Sequence, residues 1–159
     1  MDLRDEMRQV MKRQIAGCFL LLGAASICLA ITACSKTDTG RKVTIPVSGE
    51  VYVDGQPAGM LQIQCHPVGG IDREDPSVTQ AVTDKEGKFQ LATYEAGDGA
   101  PLGEYKLTFV WQDFNLISAS YSGPDKLKKR YSDPDSSEFP LTVEQGPPID
   151  LGRIELTTN

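Results

Sequence analysis

Histidine occurs once in the 159 residues, at position 66, and that scarcity removes whole classes of chemistry. A metal centre that needs two imidazoles cannot be assembled, nor can a relay with separate histidine acid and base. His66 directly follows Cys65, and neighbours in an extended strand point to opposite faces, so the two cannot act as nucleophile and base. Positive charge is also short. The 16 Lys and Arg stand against 22 Asp and Glu, a net charge of −6. Nucleic-acid affinity rests on neutralising phosphates, so no nucleic-acid partner is expected. No cofactor is expected either, and the chain shows no internal repeat.

Charge is missing altogether from residues 15–33. Ahead of that run, Arg4, Arg8, Lys12 and Arg13 form a basic start, diluted by Asp2, Asp5 and Glu6. A basic start followed by an apolar run is the layout of a secretory signal. The run ends in Ile31-Thr32-Ala33-Cys34: an aliphatic residue, two small ones and a cysteine. This order resembles the bacterial lipobox, in which the cysteine sulfur takes a diacylglyceryl group and becomes the new N-terminus. Ile15-Ala16-Gly17-Cys18 has the same spacing but no apolar run before it, and Cys28 follows the bulky Ile27. The competing reading is an uncleaved helix, because at ~1.5 Å per residue the run is just long enough to span a bilayer. Gly17, Gly23, Ser26 and Thr32 weigh against it, as does a cysteine where cleavage needs one. Residues 1–33 are therefore expected to be a lipoprotein signal peptide, with lipidation (acyl chains such as palmitate) at Cys34. Residues 34–42, polar and small, read as a tether. The protein would be held at a membrane of the cell envelope with its domain extracytoplasmic.

Once residues 1–33 are set aside, 12 of the 16 basic and 19 of the 22 acidic residues remain, a net −7. Cys65 is then the one cysteine besides Cys34, so no internal disulfide can form although the compartment permits one. The apolar core must hold the fold alone. A chain of this size buries roughly two-thirds of its unfolded surface, enough for one domain over residues 43–159.

The pattern in that domain has period two. Val47, Val51 and Val53 alternate with Ser48, Glu50 and Tyr52 until Asp54-Gly55, a tight-hairpin signal. Leu61, Ile63 and Cys65 alternate with Gln62, Gln64 and His66 until Pro67. A polar loop over 69–76 precedes a third short strand over 78–83, and the turn at 84–87 leads to Phe89, Leu91 and Thr93. Tyr105, Leu107, Phe109 and Trp111 mark the clearest strand. A final pair is predicted over 139–144 and 149–156, with a bulge at Gly152 where apolar parity switches between Leu151 and Ile154. Residues 113–137 read as a long connection with room for a helical turn over 125–131. Seven short strands without a helix after the leader predict an all-β, antiparallel β-sandwich.

Three stretches together carry a resemblance: PVSGEVYVDGQPAGMLQIQCHP, VTDKEGKFQLATYEAGDGAPLGEYKLTF and RYSDPDSSEFPLTVEQG. They resemble small bacterial lipoproteins with a carboxypeptidase regulatory-like domain. That implies a seven-stranded Greek-key sandwich of the transthyretin-like (prealbumin-like) kind over roughly residues 43–156. The T-D-x-x-G-x-F turn at 83–89 is shared widely among such sandwiches, and G-D-G-A-P-x-G-E-Y at 97–105 is the discriminating part. Cys65 departs from the pattern, standing where a large apolar residue is usual, so a thinner core is expected there. Enzymes on this fold need residues missing here. Hydroxyisourate hydrolases use several histidines and a Tyr-Arg-Gly-Ser tail, where this sequence closes on Leu156-Thr157-Thr158-Asn159. Intradiol dioxygenases and the zinc peptidase itself need two histidines. The resemblance thus implies a non-enzymatic module with no catalytic residue.

Three surface features invite function. Asp72, Glu74 and Asp75, Asp84 and Glu86, Glu95 and Asp98, and Asp133, Asp135 and Glu138 offer oxygens of the kind calcium takes. None matches an established loop spacing, solvated turns explain them equally well, and no metal ligand is assigned. Lys126, Lys128, Lys129 and Arg130 form the one basic cluster. It suits anionic lipid or cell-wall polymer, against a solvated turn balanced by Asp125, Asp133 and Asp135. Trp111, Phe114 and Tyr121 suit a sugar platform, although the parity of Trp111 points it to the core. The expected role is structural or protein-binding, toward an unknown envelope protein or glycan. The alternatives are a cell-wall carbohydrate-binding module through the edge aromatics and, less favoured, a hydrolase.

Overall fold

Where apolar and polar residues alternate, the chain is extended and buries every second side chain. The computed structural model describes residues 40–159, so the predicted signal over 1–33, Cys34 and most of the tether lie outside the described residues. After β1 (Thr44–Ile45), β2 (Val47–Val53) buries Val47, Val51 and Val53 and turns its polar residues outward. β3 (Gln56–Pro57) returns on β2 across Asp54-Gly55, whose φ angles of 49° and 79° are both positive. That is the two-residue turn whose twist matches a hairpin. β4 (Gln62–Pro67), β5 (Thr79–Val82) and β8 (Gly103–Val110) alternate in the same way and pair antiparallel.

Two four-stranded sheets result. In one the order is β11 (Pro140–Val143), β8, β4, β5. In the other it is β12 (Ile149–Leu156), β2, β3, with β6 (Lys88–Gln90) also bonded to β2. Ile63, Cys65, Leu107, Phe109 and Leu141 of the first join Val47, Val51, Phe89, Ile154 and Leu156 of the second in one hydrophobic cluster. Each fully buried Leu, Val, Ile or Phe stabilises by about 1.5–3 kcal/mol, so the cluster is the principal source of stability in a domain without a disulfide.

The chain is all-β among the described residues, but the expectation of seven wholly antiparallel strands is corrected. Twelve strand segments form, and β12 runs parallel to β2. The predicted pair over 139–144 and 149–156 is not a pair: β11 bonds β8 and β12 bonds β2. Pro147 and Pro148 lie between them and have no N–H to donate, so this connection passes from one sheet to the other instead of closing a hairpin. The predicted bulge is present as a register shift between Asp150 and Arg153. The thiol of Cys65 lies in the core, as a small hydrophobe does.

The long connection is also corrected. β9 (Asp113–Asn115) and β10 (Ser120–Ser122) make a small hairpin, and 126–131 is a series of turns without an α-helix. The chain then bonds back along β8. Lys126 N donates to Trp111 O, Phe109 N to Tyr131 O and Leu107 N to Phe139 O, before β11 takes over. Leu127, fully buried, fixes these turns to the core.

The discriminating segment at 97–105 is a corner of the scaffold. The Asp98 carboxylate accepts N–H bonds from Thr93, Tyr94 and Glu95 at 2.8–3.2 Å. Tyr105 OH donates to Pro101 O, four residues back, at 2.9 Å. Between them Gly99, at φ +91°, lies so close to β1 that a Cβ would sit 1.8 Å from Ile45 O. β7 (Ala100–Pro101) can pair with β1 only because that atom is absent. Gly99→Ala should therefore cost at least ~3 kcal/mol or abolish folding, while Gly146→Ala, with nothing within 4 Å of its Cβ, should change stability by less than ~0.5 kcal/mol. Urea denaturation of the two variants checks this.

Candidate functional site

The residues singled out for surface roles gather beyond the C-terminal end of β8, but not as one platform. Trp111 is half-buried against the core, and its Nε1–H donates to Gly59 O at 3.0 Å. Lys126 Nζ lies 4.8 Å from its ring centroid, so the face a sugar would use is covered by a cation. Phe114 and Tyr121 are register partners in the β9–β10 hairpin, their centroids 5.0 Å apart with planes tilted by 57°. The structure thus brings two of the three rings together and commits the third to the core.

The basic cluster is not neutralised in the way its acidic neighbours suggest. Asp125 spends both oxygens on backbone N–H groups, Oδ1 accepting from Trp111 and Leu127 and Oδ2 from Lys129. Asp133 accepts from Asp135 N and Ser136 Oγ. Lys126 pairs with Asp113 at 2.8 Å, and Arg130 donates to Thr157 Oγ1. Lys128 and Lys129 are exposed, and neither forms an ion pair among the described residues. Both have left-handed backbone, φ 56° and 61°. Two adjacent non-glycine residues there store strain that persists only because Asp125 and Leu127 over-determine the turn.

Sequence reasoning missed the tip of the hairpin. Leu116 and Ile117 are 85% and 98% exposed, and they project between strands of only three residues. Asn115 Oδ1 accepts from Ile117 N and Ser118 N and sets the turn. The signal was present as Asn115 between apolar residues, but three-residue strands are too short for periodicity to register.

Elsewhere the chemistry is dispersed. Cys65 and His66 point apart as expected, His66 Nε2 lying 2.9 Å from Thr108 Oγ1 on the outer sheet face. A pocket of about 220 Å³ lies over Cys65 and Tyr105, and the 2.8 Å Lys42–Asp72 pair lines it. Burial pushes the Cys65 thiol up to about 12. An open groove of about 580 Å³ runs along β2 and β6 past Ser48, Glu50, Lys88, Gln90 and Asp150. Among the described residues no three His, Cys, Asp or Glu converge to hold a metal ion, and no helix is long and apolar enough to cross a membrane.

No protein-family model matches the chain, and no curated protein does. Among solved structures, (S)-allantoin synthase matches at 15% identity and a TM-score of 0.39, over 74% of this chain and 42% of that one. The expectation that the chain is not an enzyme is corrected by this finding, because the matched protein is by its name an enzyme and the exclusion of catalysis no longer stands. A likeness of that size carries no argument for any reaction here.

Two measurements follow. Asp98 is only partly buried; burial opposes its ionisation, but the N–H groups of Thr93, Tyr94 and Glu95 outweigh that and hold its pKa below the usual 3.8. Asp72 is held at about 2, first by the Lys42 ammonium and then by the N–H groups of Glu74 and Asp75. Depressed carboxylates stabilise the fold above their unfolded pKa, and that contribution is lost as pH falls through the folded value. The melting temperature should therefore drop between about pH 4 and 2, and Asp98→Asn should cost about 1–2 kcal/mol at pH 7 and shallow that drop. Cys65 should resist a thiol reagent at pH 8 in the folded state and react at once in urea, because its thiolate is the reactive form.

Proposed function

We propose that the protein is a lipid-anchored module of the cell envelope: a Greek-key β-sandwich of the carboxypeptidase regulatory-like kind that carries a binding surface on a membrane tether. The observation that carries this reading is Ile31-Thr32-Ala33-Cys34 at the end of the uncharged run, followed within ten residues by the first strand at Thr44. An anchor of two or three acyl chains gains ~0.8 kcal/mol per buried CH₂, enough to hold a small domain effectively permanently. Support for the sandwich comes from the single core shared by two sheets and from the corner at 97–105, where Asp98, Gly99 and Tyr105 each have a structural task. The binding surface is the end of the domain that carries the β9–β10 hairpin and the basic turn. That end carries Lys128, Lys129 and Arg130, which form no ion pair among the described residues, and Leu116 and Ile117, the two most exposed of the large aliphatic side chains. The partner class of the module is an envelope component: a protein, a glycan or the anionic lipid beside the tether.

The test is the intact mass of the protein taken from its native membranes. A chain beginning at Cys34 with added acyl mass is expected, and Cys34→Ala should abolish that mass. A full-length, unlipidated wild-type chain would overturn the reading.

A further inference from the structure

We infer that the β9–β10 hairpin and the basic turn beside it dock onto an anionic lipid bilayer. The inference stands on the described domain alone and does not depend on lipidation at Cys34. Residues 114–124 carry no charge in a chain with 22 acidic residues. At the tip of that stretch, Leu116 and Ile117 are the two most exposed of the large aliphatic side chains. Behind the tip lies the half-buried pair Phe114–Tyr121. Beside the hairpin lie Lys128, Lys129 and Arg130, on a turn joined to the hairpin base by Lys126–Asp113 at 2.8 Å.

Exposed aliphatic, aromatic and cationic side chains are the three kinds that a bilayer takes up in its hydrocarbon, interface and phosphate layers. The nearby acids offset the cations only in part, Asp54 lying near enough to Lys128 and Arg130 for their charges to help lower its pKa. Asp113 is paired with Lys126, Asp125 caps backbone N–H groups, and Asp54 is bonded by Thr158 N and Oγ1. A soluble anionic polymer would satisfy the lysines and leave both aliphatic side chains in water. An anionic membrane satisfies both. The turn needs no reorganisation on docking, because Asp125 and the buried Leu127 already hold Lys128 and Lys129 outward.

Residues 40–159 form a compact unit with their own core, so a chain beginning at Gly40 serves for the test. It is sedimented with vesicles of phosphatidylcholine containing 30% phosphatidylglycerol, and with pure phosphatidylcholine, at two salt concentrations. Binding to the anionic vesicles alone is expected, weakening as salt rises. Leu116→Ser with Ile117→Ser should reduce it at least about tenfold, as should Lys128→Gln, Lys129→Gln and Arg130→Gln together. All these side chains are exposed, so melting temperatures should stay at the wild-type value and separate lost binding from lost fold. Ile117→Trp should shift its emission to the blue on binding. Absence of binding to anionic vesicles overturns the inference, and so does binding that survives the double serine variant. If the tip instead serves a protein partner, the vesicles fail while the serine variant loses that partner, which also overturns it.

Discussion

The outer edge of β8 is the constraint on which the rest of the domain depends. β4 satisfies one side of this strand, and the other side is closed by the chain returning from the hairpin. An unpaired edge within a packed domain leaves backbone donors and acceptors without partners, at about 1–3 kcal/mol each. Four residues of β11 cover the start of β8, and the turns at 126–139 must cover the remainder. Leu127 locks those turns by burying its side chain, and Asp125 locks them by collecting three N–H groups. The strained lysines are a by-product of that closure. A turn that must bond β8 on one side and bury Leu127 on the other leaves Lys128 and Lys129 directed at solvent.

The acidic composition has a related explanation. Asp72, Asp84, Asp98, Asp125 and Asp133 each accept backbone N–H bonds from residues just beyond them in the chain, or, for Asp98 and Asp125, from the segment they clasp. Carboxylates are strong acceptors for turn donors, and in a domain with many short strands they do the work of helix caps in other folds. That use scatters the acids instead of converging them. Several pKa values are shifted downward without creating a site: Asp54 by the hydroxyl and N–H of Thr158, Asp72 first by Lys42 and then by the N–H groups of Glu74 and Asp75, and Asp98 by the N–H groups of its own loop.

How much of this was legible depended on what periodicity can encode. β2, β4 and β8 were readable because alternation over six or more residues is unambiguous, and Gly152 was readable because a parity switch leaves few alternatives. The partner of β12 was not readable. Alternation states which side chains are buried and is silent on whether the neighbouring strand runs parallel. Strands of three residues, as in β9 and β10, fall below the length at which a pattern differs from chance. The basic turn was visible as KLKKR, but its acids were expected as counter-charges. Only the structure shows Asp125 facing its own backbone, which leaves Lys128 and Lys129 without an ion pair among the described residues. Trp111 was legible through parity alone, its inward direction following from Tyr105, Leu107 and Phe109.

The two ends of β8 bear on how an anchor and a docking hairpin would act together. β1 meets β7 just before β8 begins, and the hairpin follows just after it ends, so the chain enters the fold roughly 26 Å from the hairpin base at ~3.3 Å per residue. The tether proposed over 34–42 would reach at most about 30 Å if fully extended. The lengths are comparable, so the proposed anchor would not by its length keep the aliphatic tip from the same bilayer. The second contact then need not be strong. If the proposed first attachment confines the domain, the hairpin would meet lipid at a high effective concentration, and a contact too weak to recruit a free domain would suffice to fix the orientation of a tethered one. Such an orientation would direct one sheet edge and the groove along β2 and β6 consistently relative to the membrane, which a flexible tether alone cannot do.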